Sequence, residues 1–381
     1  MDHDRKLLLS LIAVLVGFGT LMVYSASVTS RPTDFEQVYL SRHLIFLCLG
    51  LGGAMLASTF PTRFWFRWGP WLFGGTVLLL ALVLVPGLGT RVKGAQRWFR
   101  LGPASFQPSE LAKLTLPLYL TGLILRQRYQ VESWWRGLCL PLLPLGLCLP
   151  LILLEPDLGT SLFLAVGAMI ALFIGNWPLR NFALVGILAV PAVGGLILLK
   201  PYQVRRITGF VSTWTDWGSA PYQLKQSLVT LGAGGLWGAG LGRGFQKLSF
   251  LPEANTDFVF AVIGEELGLL GTLTIISLWG GVYVLGLRIL SRVPRGSFEY
   301  IAGFTLLTQL VLQAALNMAV VTAMVPPKGI PHPLISYGGS NLVATLLGLG
   351  IFMGLTQEGQ ESSVPEEQPL TAFSEEAAPH P

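Results

Sequence analysis

A chain of 381 residues that is 52% hydrophobic and only 12% charged lies far from soluble domains, in which about a quarter of residues are charged. Nearly uncharged runs of about twenty residues recur along it; that length crosses a hydrocarbon core of about 30 Å, and in lipid such runs must be helices because nothing else satisfies their backbone groups. The sequence predicts an all-α polytopic membrane protein, and the net charge of +5 reads as bases flanking membrane helices rather than as a nucleic-acid surface.

The N-terminus, "MDHDRKLLLSLIAVLVGFGTLMVYSAS", imitates a secretion signal, with Arg5 and Lys6 before an apolar run. That run is too long for a signal core and further spans follow it, so an uncleaved first helix is expected. Spans are expected near 7–27, 43–60, 70–86, 109–126, 137–154, 159–175, 181–199, 258–287, 299–323 and 338–356, about ten by the length criterion. Cys48, Cys139 and Cys148 lie inside apolar runs, and their odd count gives neither a disulfide framework nor metal-ligand spacing. No internal repeat is visible. Between the seventh and eighth spans, residues 200–257 form a long Gly- and Trp-rich connection with short amphipathic pieces such as "YQLKQSLVTL". Residues 1–356 thus make one membrane domain. The acidic, Pro-containing remainder, 357–381, is expected to be a disordered cytoplasmic tail.

Short-loop bases set the orientation. With both termini in the cytoplasm, Arg5, Lys6, Arg63, Arg67, Arg126, Arg128, Arg136, Arg180, Arg288, Arg292 and Arg295 lie inside. One outer loop breaks the rule: "GTRVKGAQRWFRLGPASFQPSE" carries Arg91, Lys93, Arg97 and Arg100. Such a cluster suits an anionic group, either a ligand or the headgroups of membrane lipids.

Five polar stretches then share the outer face: loop 87–108; the start of span four with Glu110 and Lys113; the turn "LEPDLGT" with Glu155 and Asp157; the approach to "LPEANTDF"; and "VPPKGIPHPLISYGGSN" with Lys328, His332, Ser336 and Ser340. Each has a structural reading as well. Ser109 reads as a cap for span four with Glu110 at the positive dipole end, Asp157 as a cap for span six, and Thr256 with Asp257 as a cap for span eight. The Gly pair in "SYGGS" allows close packing at a helix start. Leu267–Leu287 is uncharged and long enough to span. This puts Glu265 and Glu266 near the outer boundary and Asp257 roughly 13 Å further along a continuous helix. Asp257 lies beside Phe258 and Phe260, and partial desolvation there raises a carboxylate pKa towards the range of a general base.

The motifs "KGAQRWFRLGPASFQPSELAKL", "EPDLGTS", "KQSLVTLGAGGLWGAGLG", "FLPEANTDFVFAVIGEELGLLG" and "PPKGIPHPLISYGGSN" resemble, in order, those of the SEDS (shape, elongation, division and sporulation) family. The resemblance runs from the first span to the last and is closer to division-type than to elongation-type members. It implies a ten-span fold with a large outer loop before span eight. It also implies a peptidoglycan glycosyltransferase that polymerises lipid II, the undecaprenyl-pyrophosphate-linked disaccharide-pentapeptide. The essential acid of the family falls on Asp257, and the other motif positions on Arg97, Glu110 and Lys113. The family usually has His before the Thr-Asp pair, where this chain has Asn255. With Lys328, Arg97 and Lys113 are the cations expected at a diphosphate, and Asp157, Ser336 and Ser340 complete the candidate substrate-binding set.

The resemblance further implies a divalent cation (Mg or Mn) whose ligands no aspartate cluster identifies. It implies a class B penicillin-binding protein as partner, together with other division or elongation proteins. Three rival readings remain: a lipid II flippase, which needs polar groups from face to face; an elongation-type polymerase; and a non-catalytic scaffold, which needs no outer acid and bases.

Overall fold

The computed structural model describes residues 3–27, 35–92, 94–102, 104–127, 134–245 and 250–361. The tail from residue 362, Lys93 and Arg128 lie outside the described residues.

Helices α1 (His3–Ser27), α2 (Phe35–Thr59) and α3 (Thr62–Val83) come first. A small antiparallel sheet follows: β1 (Thr90–Val92), β2 (Ala95–Leu101) and β3 (Ala104–Phe106), in the order β1-β2-β3. Then come α4 (Pro108–Gln127), a π-helical turn at Trp134–Cys139, α5 (Leu140–Leu154), α6 (Leu158–Ile174) and α7 (Leu179–Leu199). The long connection folds as α8 (Pro201–Thr215), α9 (Tyr222–Ala233) and a glycine-rich loop. The last described helices are α10 (Val259–Leu290), α11 (Phe298–Val321) and α12 (Gly339–Glu361). The sheet is absent from the sequence-based expectation, and α12 runs five residues past the expected boundary at 356.

Among the described residues, eight helices are long and apolar enough to cross a membrane. The other two expected spans are α4, which carries Glu110, Lys113 and Arg126, and α6, of 17 residues. Both run the full depth of the bundle. Helix α4 starts from the sheet beyond the end of α3, and its Arg126 donates to Phe66 O near the start of α3 (3.3 Å). Helix α6 starts beside Arg97 of β2 and closes at Gly175 against Ile124 of α4. Among the described residues, α1–α7 and α10–α12 therefore alternate between two faces. The sheet, Asp157, α8, α9 and residues 322–338 lie on one face. On the other, Arg5 donates to Gln360 (3.1 Å) and Gln360 to Ile289 O (3.1 Å), which brings both ends of the bundle together.

Packing follows from small residues and apolar faces. Cβ atoms added at Gly350 and Gly354 of α12 would lie 2.2 Å from Ala54 O and 2.7 Å from Ser58 O of α2. Only glycine permits that approach, the usual route to tight association where lipid gives no hydrophobic drive. One apolar core joins α1, α10, α11 and α12; a second joins α3–α6; Leu118, Phe298, Leu306 and Leu355 form the seam between the halves. Helix α7 sits at the edge, with Asn181 its only buried residue.

Helix α10 is not continuous. Gly268 has φ 65° and ψ −161°, a left-handed φ that favours glycine. The glycine loop takes up the backbone groups freed by the break. Ala239 N donates to Glu265 O (2.9 Å) and Gly240 N to Glu266 O (2.9 Å), while Leu269 N donates to Gly235 O (2.9 Å) and Leu270 N to Leu236 O (3.3 Å). An unpaired backbone group at this depth would be costly. The break corrects the continuous-helix geometry: Val259–Glu266 is buried protein rather than a helix rising into water. Glu265 and Glu266 are 3% and 0% exposed, with Glu265 accepting from Phe245 N and Glu266 from Ser25 Oγ and Gly242 N.

Two expected caps are also corrected. Asp157 does cap α6, accepting from Thr160 N (3.0 Å). Ser109, however, lies inside α4, and its hydroxyl has no partner among the described residues. Phe258, not Thr256 or Asp257, occupies the cap position of α10 without a side-chain bond.

Candidate active site

Asp257 lies half-buried in the turn that leads into α10. The turn is closed by Thr256 N and Phe258 N donating to Glu253 O (both 3.1 Å), with Glu253 at φ 58°. The segment 325–338 holds it from the other side. Tyr337 N donates to Asn255 O (2.9 Å). Ser336 Oγ donates to Thr256 O and accepts from His332 N (2.7 Å). Gly329 sits against the carboxylate: a Cβ there would lie 3.0 Å from Asp257 Oδ2.

Next along this segment, Lys328 runs over Gly159 beside Asp157; the Cβ position of Gly159 is 3.3 Å from Lys328 Cδ and 3.5 Å from Asp157 Oδ1. Burial holds the Lys328 ammonium below its ordinary pKa, with Asp157 opposing and Arg206 of α8 adding to the effect. Arg97 reaches the same corner from β2. It donates to Glu155 O (2.8 Å) and Pro156 O (2.7 Å), and pairs with Asp157 Oδ2 (3.2 Å). Glu155 is fully buried, and neither carboxyl oxygen has a partner among the described residues. Burial first and the Asp157 carboxylate second, opposed by Arg97, push its pKa up to about 8. At neutral pH it is a protonated acid.

A second group lies deeper. Lys113 Nζ contacts both oxygens of Glu110 (2.8 and 2.9 Å) and donates to Gln313 Oε1 (3.1 Å). Asn341 Nδ2 donates to Glu110 Oε2 (3.0 Å), and the Phe163 ring lies under the ammonium (5.5 Å). Below is a cavity of about 40 Å³ bordered by Lys113, Phe163, Gln309, Gln313, Thr345 and Phe352. That is room for about three waters. The Gln309 amide, 4% exposed, has no partner at either end among the described residues.

The structure thus brings Asp257, Arg97, Asp157 and Lys328 to one corner and sets Glu110 and Lys113 beneath it. Ser336 and Ser340 play another part. Both hydroxyls are engaged on both sides, and Ser340 ties the start of α12 to the sheet by donating to Ser105 O (3.0 Å) and accepting from Gln107 N (3.3 Å). His332 is buried between Phe260 and Trp279, and burial lowers its pKa to about 4. Its ring stays neutral at physiological pH.

For a divalent cation held by the protein, the donor set does not fit. Among the described residues no three of His, Cys, Asp or Glu converge, and Glu110 and Asp157 already face cations. No step is derived through such an ion.

Sequence reasoning missed Gln309, Gln313 and Asn317, which follow one another at i, i+4 and i+8 on α11. Asn317 Nδ2 donates both to Asp257 O (2.7 Å) and to Ile330 O (2.8 Å), and Gln313 Nε2 donates to Pro331 O (3.0 Å). The signal was present: three amides on one face of an apolar run are expensive in a membrane and point inward by default.

A family model described as cell cycle protein, that of FtsW, RodA and SpoVE, matches residues 5–361. The chain belongs to this family. It is 36% identical over 352 residues to the "probable peptidoglycan glycosyltransferase FtsW" of Geobacter sp. (strain M18), covering 92% of this chain and 96% of that protein. It is 40% identical over 366 residues to the protein of the same name from Aromatoleum aromaticum, covering 94% and 88%. Among solved structures, one reported as "Structural coordination of polymerization and crosslinking by a peptidoglycan synthase complex" superposes with a TM-score of 0.75 at 32% identity, over 92% of this chain and 96% of that one. The rod shape determining protein RodA of Thermus thermophilus superposes with a TM-score of 0.68 at 31% identity, over 92% and 96%. The ten-helix bundle is therefore the SEDS membrane fold.

Proposed function

We propose that this chain polymerises lipid II into glycan strands at the outer face of the bacterial cytoplasmic membrane, in the division pathway, with Asp257 as general base. The observation that carries this reading is the convergence of one half-buried carboxylate with Arg97 and Lys328 at one face, above Lys113. In the reaction the acceptor sugar's 4-hydroxyl oxygen attacks the anomeric carbon of the donor and its proton passes to the Asp257 carboxylate. The bond from the anomeric carbon to the diphosphate breaks, with inversion. Charge grows on the departing diphosphate, so cations fixed in advance lower the barrier.

Identity to relatives named FtsW, 36% and 40%, exceeds the 31% to RodA, which supports the division reading. The neighbour described as coordinating polymerisation with crosslinking supports a class B penicillin-binding protein as partner. Cytoplasmic termini follow from the short-loop bases and put the sheet and Asp257 outside. A flippase is less well supported. The amides of α11 descend about 12 Å from Asn317, but Leu306, Leu307 and Phe352 border the cavity below them.

The purified chain with its cognate penicillin-binding partner, mixed with lipid II in detergent, is expected to yield glycan strands on a gel. No strands, together with lipid II translocation in vesicles, would replace the enzyme with a flippase.

A further inference from the structure

We infer that Asn317 and Gln313 are positioning residues: two amides one turn apart on α11 that set Asp257 and Lys113 in a fixed mutual arrangement. The inference rests on the reading of Asp257 as base and of Lys113 as part of the diphosphate site.

The two amides are joined to different partners. Through one nitrogen, Asn317 holds the carbonyl of Asp257 (2.7 Å) and that of Ile330 (2.8 Å). Ile330 follows Gly329, whose backbone lies against the Asp257 carboxylate. A single donor group therefore fixes both the residue that carries the base and the surface on which that base rests. One turn deeper, Gln313 joins the same segment, at Pro331 O (3.0 Å), to the Lys113 ammonium (3.1 Å). Glu110 accepts from that ammonium, and Asn341 Nδ2 donates in turn to Glu110 Oε2. Helix α11 is thus the rigid element on which acid and cation are registered.

Cost argues for this as well. Asn317 is 1% exposed and its Oδ1 has no partner among the described residues, and Gln313 is 4% exposed. An apolar side chain of similar volume would avoid the burial of polar groups in a bundle core. Two carbonyls facing Asn317 fix its amide orientation, because the reversed amide would set oxygen against oxygen. No ionisable group replaces these amides. Asp257 is bound to Asn317 through its carbonyl, and Lys328 O accepts from Ile330 N, the residue whose carbonyl Asn317 also holds.

The two residues act through different groups, so their loss reads out differently. Without Asn317 the base is displaced while the cations stay. Displacement by about 1 Å costs on the order of a hundredfold in rate. Without Gln313, Lys113 loses a hydrogen bond to a charged group, worth about tenfold in affinity.

The test is steady-state polymerisation by the full chain with its penicillin-binding partner, using lipid II, for Asn317→Leu, Gln313→Met, Asn317→Asp and Asp257→Asn. Asn317→Leu is expected to lower kcat by about tenfold to a hundredfold and leave KM for lipid II within about twofold. Gln313→Met is expected to raise KM by about tenfold, with the smaller effect on kcat. Asn317→Asp keeps the shape but offers one O–H donor, to one of the two carbonyls and only when protonated, so its kcat relative to wild type is expected to fall as pH rises through the pKa of the new carboxyl group. This comparison decides the matter should Asn317→Leu fail to fold. Wild-type kcat and KM in Asn317→Leu, or a pH-independent ratio in Asn317→Asp, overturns the inference. Full activity in Asp257→Asn instead overturns the reading of the base, whatever the α11 variants do.

Discussion

Gly329 lies directly against Asp257: a Cβ at position 329 would stand 3.0 Å from Asp257 Oδ2. The contact is with the end of a flexible side chain, so the fold can accommodate a methyl group by moving the carboxylate a few tenths of an ångström. Stability is little changed, but the base is no longer where it was. Gly329→Ala is expected to keep the wild-type melting temperature and lose about tenfold or more in polymerisation rate, measured side by side on one preparation. An unchanged rate would show that the carboxylate does not depend on this contact.

Glu110 and Lys113 form an ion pair with side-chain exposures of 7% and 12%. Removing one partner of such a pair leaves a charge without compensation, at about 3–5 kcal/mol, whereas replacing both with apolar groups costs much less. Glu110→Leu alone is expected to destabilise by about 3 kcal/mol. The double variant Glu110→Leu with Lys113→Met should recover most of that stability in a thermal melt yet remain inactive. Additive destabilisation would argue against the pair acting as a unit.

Glu155 carries a pH signature. It keeps its proton in the folded chain up to about pH 8, against an ordinary value of 4.5. Between those values the folded state holds a proton that the unfolded state has released, so stability falls as pH rises through the window and levels off above it. Glu155→Gln is expected to melt with wild type at about pH 4.5 and above it at about pH 8. Parallel melting curves across the window would place an ionised carboxylate at this position.

Gly268 combines a left-handed φ with contact to backbone: an added Cβ would lie 2.5 Å from both Gly238 N and Leu236 O. These atoms belong to the loop that satisfies the broken helix and cannot shift without undoing it. Strain from φ alone costs about 1–3 kcal/mol, and the clash adds to it. Gly268→Ala is expected to yield little monodisperse protein by size-exclusion chromatography, while Gly280→Ala, with open space around it, is expected to behave as wild type.

The sequence made the spans legible because each is a long apolar run, and even α4, with its internal Lys113, is bounded by clear signals. Asp157 was readable as a cap because its role is local. What escaped was non-local. Nothing in "GAGGLWGAGLG" states that its backbone will pair with a helix broken at Gly268, distant in the sequence though near in space. The burial of Glu265 and Glu266 follows from that pairing and was equally hidden. The carbonyl partners of Ser336 and Ser340, Thr256 O and Ser105 O, were equally unreadable. The amides of α11 were readable as an inward face, but their partners at Asp257, Ile330 and Pro331 were not.

The central claim is best tested on the base itself. Asp257→Asn keeps size and polarity and removes only the capacity to take the proton, so with its penicillin-binding partner it is expected to bind lipid II like wild type and to form no glycan strands. Strand synthesis at the wild-type rate by that variant would contradict the account.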